Sequence, residues 1–237
     1  MNTMNILLCG VGGQGTVLAS KILAQCAMNR GLSAHTAETI GMAQRGGCVV
    51  SHVRIGDAAS PLIPERCADL ILAFEPAEAV RCLRYLKSGG AVVVLDNSTT
   101  AMTGHQPHPG TGMTMMGDVA EKVSIPKILE AVGVSDIQIV DPLDLPAAIE
   151  AAKHAYDVKG VSAIIYKSPC IAVTKPRGTM TITENCISCK KCIKALGCPA
   201  IYRESGEVKI DAALCTGCGL CAAVCPVHAI EKGGANA

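Results

Sequence analysis

Eight of the chain's fourteen cysteines lie between Cys186 and Cys225. They form two runs of one design, Ile182-x3-Cys186-x2-Cys189-x2-Cys192 and Ile210-x4-Cys215-x2-Cys218-x2-Cys221, each followed by a Cys-Pro, Cys198-Pro199 and Cys225-Pro226. Three thiols at i, i+3 and i+6 wrap a loop around a compact inorganic core, and a remote thiol supplies the fourth ligand. Zinc ribbons also use paired C-x2-C elements, but zinc has no use for a third cysteine and a Cys-Pro in both halves. Disulfides fit less well still, because three cysteines at this spacing cannot all be bridged without strain. Nothing in Met1–Asn5 has the layout of a secretory signal, so the expected compartment is the reducing cytoplasm. The chemistry this array predicts is one-electron transfer.

Residues 181–230 resemble bacterial-type two-[4Fe–4S] ferredoxins, and a small α+β domain of that type is expected over 179–232. In such ferredoxins the cysteine of each trailing Cys-Pro ligates the other cluster. The resemblance therefore implies Cys186, Cys189, Cys192 and Cys225 on one cluster, and Cys215, Cys218, Cys221 and Cys198 on the second. Ser188, Thr216, Gly217 and Gly219 are small enough for backbone N–H groups to approach the sulfides. Lys190, Lys191 and Lys194 read either as a solvated helix face or as a docking surface for an acidic electron carrier.

The rest of the chain must position this module and feed it. With 237 residues, 49% hydrophobic, it has room for one large domain or two small ones. A net charge of +1 and only five aromatic residues argue against a nucleic-acid or membrane-surface binder. No apolar run reaches the eighteen or so residues of a membrane span. Alternating elements follow: strands at Ile6–Cys9, Ser33–Ala37, Cys48–Ile55, Asp69–Phe74, Ala91–Leu95, Ile137–Val140 and Ser162–Tyr166, and helices at Thr16–Asn29, Pro76–Leu86, Ile125–Val132 and Leu145–Tyr156. Ser88-Gly89-Gly90 reads as the stop of the second helix. This rhythm predicts an α/β fold, a parallel sheet with helices on its faces. Cys9, Cys26, Cys48, Cys67 and Cys82 fall in or beside apolar elements and read as small core residues. Cys170 reads as a buried spacer of the linker Pro169–Gly178.

Between the first strand and helix, Gly10-Val11-Gly12-Gly13-Gln14-Gly15 fits G-x-G-x-x-G. Gly10, Gly12, Gly13 and Gly15 make either a tight βα turn or a loop that cradles a phosphate at a helix N-terminus. With Glu38-Thr39-Ile40-Gly41, Gln44-Arg45-Gly46-Gly47 and Ala68-Asp69-Leu70-Ile71-Leu72, this segment resembles the gamma-type domain of 2-oxoacid:ferredoxin oxidoreductases, in the form found in the beta subunit of indolepyruvate ferredoxin oxidoreductase. Residues 1–92 are assigned to it.

The long polar loop from Asp96 to Asp118 follows a buried strand, where α/β folds bind ligands. Its Leu95-Asp96-Asn97-Ser98-Thr99-Thr100-Ala101-Met102-Thr103-Gly104-His105-Gln106-Pro107-His108-Pro109-Gly110 resembles the end of the thiamine diphosphate motif in the alpha subunit of the same family. The resemblance implies Mg2+ coordination by Asn97 and Thr99, with Thr103 and Gly104 near the diphosphate. His105 and His108 read as caps of backbone groups in a Pro-braced loop or as groups at the substrate. Residues 93–175 would then be the C-terminal part of a thiamine diphosphate-binding domain, making the N-terminal and central part composite.

The family reaction is oxidative decarboxylation of aryl 2-oxoacids to acyl-CoA, with electrons passing to ferredoxin and partner subunits completing the enzyme. Two features of a thiamine site are missing. Its upstream Gly-Asp has only Gly56-Asp57 as a counterpart, with nothing around it resembling that motif, and the pyrimidine-binding domain with its activating glutamate is absent. A subunit or fragment of indolepyruvate ferredoxin oxidoreductase is the first reading, with two [4Fe–4S] clusters and without independent thiamine catalysis. The alternative is a free-standing ferredoxin-like electron carrier whose α/β part only docks.

Overall fold

The computed structural model describes residues 3–39, 47–96, 100–101, 106–170, 173–174 and 177–233. The chain divides into two compact units, the first running to Cys170 apart from Leu143–Leu145.

The first unit begins with β1 (Met4–Val11), α1 (Thr16–Met28), β2 (Ala34–Glu38), β3 (Cys48–Ile55), β4 (Ala68–Ala73) and α2 (Pro76–Cys82). It continues with β5 (Leu86–Asp96), the short pair β6 (Thr100–Ala101) and β7 (Gln106–Pro107), then α3 (Ile125–Ala131), β8 (Asp136–Val140), α4 (Leu145–Asp157) and β9 (Ser162–Lys167). Seven strands make one sheet in the order β2-β3-β1-β4-β5-β9-β8. The sheet is parallel as expected except for β3, which runs antiparallel to both β1 and β2. Segments 1–92 and 93–175 thus both contribute strands to one sheet, and β5 spans their junction.

Alternation along the strands sorts the core. Leu7 and Cys9 of β1 face α2 and α3 together with Ile71, Ala73, Val92, Val94, Ala163 and Ile165. Ile6 and Leu8 face the other way, where Val53, Leu70 and Leu72 meet Ala19 and Leu23 of α1. Leu7, Leu8 and Val11 are fully buried, each contributing on the order of 1.5–3 kcal/mol by leaving water. The α1 periodicity reads Val17, Leu18, Ile22, Leu23 and Ala27 as its apolar positions, yet Leu18 is 63% and Ile22 53% exposed. Ala27 is buried as expected, together with Thr16 and Ser20, while Ala19 and Leu23 pack against the sheet.

Ser88-Gly89-Gly90 is not a helix stop. Helix α2 ends at Cys82, one 3-10 turn follows, and the glycines lie inside β5. Gly89 takes φ 74°, and the β4–β5 register slips between the Ala68 and Leu70 pairings. A Cβ on Gly90 would stand 2.8 Å from Leu86 Cδ1 and 3.0 Å from the Asp69 carbonyl oxygen, so a side chain at this bulge would crowd the neighbouring strand.

The second unit is a duplicated plan: β10 (Met180–Ile182), α5 (Lys191–Leu196), β11 (Ile201–Glu204), β12 (Glu207–Ile210), α6 (Leu220–Val224) and β13 (Ile230–Lys232). β10 pairs antiparallel with β13, Ile182 opposite Ile230, and β11 with β12, Ile201 opposite Ile210. The residue after each first isoleucine closes the halves on one another. Thr183 N–H donates to the Ala229 carbonyl at 2.9 Å and Asp211 N–H to that of Ala200 at 2.8 Å.

Candidate iron–sulfur site

Each cysteine loop is irregular and then enters a short helix, so its third cysteine is fixed on helical backbone and the first two on loop. Cys192 lies in α5 and Cys221 in α6, and both are buried. Cys198 follows Gly197, whose φ of 57° ends α5. Cys225 is the C-cap of α6. This brings the remote cysteine of the second run to the first: Cys186, Cys189, Cys192 and Cys225 line one pocket, with Ile182, Ile187, Val208, Val227 and Lys190 around them. Cys198, Cys215 and Cys221 lie in the apolar core of the same unit.

The thiols of each run sense one another. Burial pushes the Cys192 thiol up, reinforced by Cys189 and Cys186. Burial likewise pushes Cys221 up to about 11, reinforced by Cys218 and Cys215. Such a set would release its protons to solvent on binding a cationic core, whose charge would offset both the burial and the mutual repulsion. Two sulfurs already accept from backbone: Cys215 Sγ from Met180 N–H at 3.4 Å and Cys225 Sγ from Ala229 N–H at 3.3 Å. The donor set, four thiolates on a mainly apolar pocket, suits an iron–sulfur cluster.

The glycine-rich turn closes on itself. Gln14 Oε1 accepts from Val11 N–H at 2.8 Å, Gln14 N–H donates to the Val11 carbonyl and Gly12 N–H to that of Gly47. Gly13 and Gly15 take φ 93° and 91°. A Cβ on Gly10 would lie 2.7 Å from Gln14 Oε1 and 3.0 Å from Phe74 Cβ. These are the demands of a tight βα turn.

Asn97, Thr99, Thr103, Gly104, His105 and Arg45 lie outside the described residues. What flanks them bears on the Mg2+ site. Asp96 ends β5 at the C-terminal edge of the parallel strands, whereas Gly56-Asp57 follows Ile55, which pairs with Met4 at the start of β1. The two lie at opposite edges of the sheet, roughly 20 Å or more apart at about 3.3 Å per residue. Asp57 and Asp96 therefore do not meet at one cation.

Of the cysteines read as core, Cys9 and Cys82 are buried and Cys67 half-buried, but Cys26 and Cys48 are exposed. Sequence reasoning singled out His108 but missed the buried acids Glu75 and Asp96 at the C-terminal edge of the sheet. Glu75 caps α2 by accepting from Ala77 and Glu78 N–H, and Asp96 and His108 lie buried near it. An acid directly after an apolar strand, as at Glu75 and Asp96, was the available signal.

A parallel-sheet unit followed by a duplicated thiol module defines an iron–sulfur redox chain. The profile of the pyruvate ferredoxin/flavodoxin oxidoreductase family matches residues 5–173, and two 4Fe-4S binding domain profiles match 183–202 and 208–231. The chain belongs to the pyruvate ferredoxin/flavodoxin oxidoreductase family.

Among its relatives, indolepyruvate oxidoreductase subunit IorA of Thermococcus kodakarensis is 41% identical over 158 residues, 62% of this chain and 24% of that one. Subunit IorB of Archaeoglobus fulgidus is 50% identical over 109 residues, 44% of this chain and 54% of that one. The gamma subunit of a keto/oxoacid ferredoxin oxidoreductase from Geobacter sulfurreducens superposes with a TM-score of 0.34 at 30% identity, covering 40% of this chain and 51% of that one. The chain therefore spans about a quarter of the IorA relative and about half of the IorB relative. Among the described residues, no helix is long and apolar enough to cross a membrane.

Proposed function

We propose that this chain is the electron-carrying part of an indolepyruvate ferredoxin oxidoreductase, acting with partner subunits that oxidatively decarboxylate aryl 2-oxoacids to acyl-CoA, and delivering the electrons to ferredoxin in the cytoplasm. The observation that carries the reading is the pocket lined by Cys186, Cys189, Cys192 and Cys225, three thiols of one run and the Cys-Pro cysteine of the other. These four hold one [4Fe–4S] cluster, and Cys215, Cys218, Cys221 and Cys198 hold the second. A bound cluster supplies reversible one-electron storage. The chain's own residues sequester it: Ile182, Val208 and Ile230 exclude water, and the Cys225 and Cys215 sulfurs accept backbone hydrogen bonds that raise the potential.

The chain is composite on this reading, with a gamma-type segment over 1–92, the end of a thiamine domain over 93–175 and the cluster domain over 179–232. Matches to two different subunits, over 62% and 44% of this chain, support it. Because the upstream aspartate is on the far edge of the sheet, no thiamine chemistry is assigned to this chain alone.

The test is an anaerobic iron and sulfide count with EPR of the reduced protein. About eight iron per chain is expected. Cys225→Ser and Cys198→Ser should each halve it, the first removing the signal of the Cys186 cluster and the second that of the Cys215 cluster. Zinc in place of iron overturns the reading.

A further inference from the structure

The two halves of the cysteine unit share one backbone plan, so their differences are informative. The second loop turns through left-handed backbone on two glycines, Gly217 at φ 68° and Gly219 at φ 83°. In the first loop the matching places are held by Ser188 at φ 50° and Lys190 at φ 62°. Glycine adopts this conformation freely, and a residue with a Cβ adopts it against a steric penalty. Lys190 therefore sits where glycine would serve the backbone better, directly before α5, as Gly219 does before α6.

The asymmetry extends to charge and exposure. Cys186 to Cys198 carries Lys190, Lys191 and Lys194 and no acid, whereas Leu214 to Pro226 carries no charged residue. None of the three lysines enters an ion pair among the described residues. Cys189 is exposed while its counterpart Cys218 is only partly so, and Ile187 beside Cys189 is 63% exposed. Lys190 itself lines the pocket of the four thiols. A lysine face that served only solubility would not need its innermost member on strained backbone.

We propose that Ile187, Cys189, Lys190, Lys191 and Lys194 form the docking face for a small acidic one-electron carrier protein, which makes the Cys186 half the exit of the module. The inference rests on the reading that these cysteines hold clusters. Cys189 is the one exposed cysteine of the four lining the pocket, and the lysines hold an acidic surface against it. One electron leaves the chain and reduces the carrier's centre, with no bond formed or broken and no proton moved.

The experiment uses the full, iron-replete chain and an acidic plant-type [2Fe–2S] ferredoxin as probe, with basic cytochrome c as contrast. Affinity is read by calorimetry across a salt series, and electron transfer by stopped flow from the dithionite-reduced chain. K190E/K191E/K194E should weaken ferredoxin binding by about tenfold at low salt and flatten its salt dependence, slowing ferredoxin reduction but not that of cytochrome c. K190G should also weaken binding while melting at the same or a higher temperature. K209E, at a lysine paired with Glu204 on β12, should change nothing. Variants with full iron and unaltered ferredoxin affinity and salt dependence overturn the docking face and leave the cluster reading standing. A wild-type chain that takes up no iron overturns the cluster reading itself.

Discussion

His108 Nε2 lies 3.2 Å from Asp96 Oδ1, with both side chains more than nine-tenths buried. The other ring nitrogen, Nδ1, accepts from Gly110 N–H at 3.0 Å, so the proton of the neutral ring is on the nitrogen that faces the carboxylate. The pair is close without being aligned as a hydrogen bond. It fastens the loop after β5 to the end of that strand, and the cap to Gly110 agrees with the plainer of the two sequence readings for His108.

His108→Ala should therefore destabilise the first unit by about 2 kcal/mol, through the lost cap and the poorer surroundings left for a buried carboxylate. His108→Asn, which keeps an acceptor near Gly110, should cost about half of that. Denaturant midpoints at constant m-value measure both, and equal losses would contradict the capping account.

Acid should loosen the sheet through His52. Burial holds its pKa below the usual 6.5, and its Nδ1 accepts from Ile63 N–H at 3.1 Å. A folded-state pKa below the unfolded one means stability is fully present above pH 6.5 and is lost as pH falls from there through the folded value. His52→Gln should flatten the pH dependence of the thermal midpoint in that window; an unchanged slope would exclude His52 as its source.

Thiol labelling of the native, cluster-loaded chain should mark Cys26 first. Cys26 and Cys48 are both exposed, while Cys9 and Cys82 are buried. The Cys48 thiol is pushed up by its hydrogen bond with Glu78 and then by burial, so less of it is thiolate near pH 8. Iodoacetamide with peptide mass mapping should show Cys26 modified several-fold faster than Cys48, and Cys9 and Cys82 only after unfolding.

Gly10→Ala should cost about 1–3 kcal/mol, because the added methyl meets Gln14 Oε1 and Phe74 Cβ. Gly15→Ala, with open space but φ 91°, should cost about 1 kcal/mol from backbone strain alone. A Gly10→Ala/Gln14→Ala double variant should recover part of the first loss in a denaturation series, since it removes the nearest clash.

Legibility from sequence followed the range of the interactions involved. The cysteine runs specify their own loops, so the duplicated module could be read from spacing, whereas the exchange of the fourth ligand came from the ferredoxin resemblance. Strands such as Cys48–Ile55 were bounded correctly because β-branched runs report burial directly, but the antiparallel direction of β3 depends on its partners and left no local mark. Ser88-Gly89-Gly90 misled because glycine serves helix ends and β-bulges alike. Leu18 and Ile22 misled because apolar spacing gives a stripe and not the side that is covered. The Asp96–His108 pair joins a strand end to a loop twelve residues on, a distance at which pattern is silent.

Strand β5 lies inside the sheet, between β4 and β9, and the proposed seam between two ancestries runs along it. Neither half can close that gap by itself: each would present Val92 and Val94, or their partners, as an open sticky edge. The hybrid is therefore less like two domains in tandem than like the two parts of a split protein already joined. A cut at Gly89-Gly90 should yield pieces that are insoluble apart and rescue one another when expressed together.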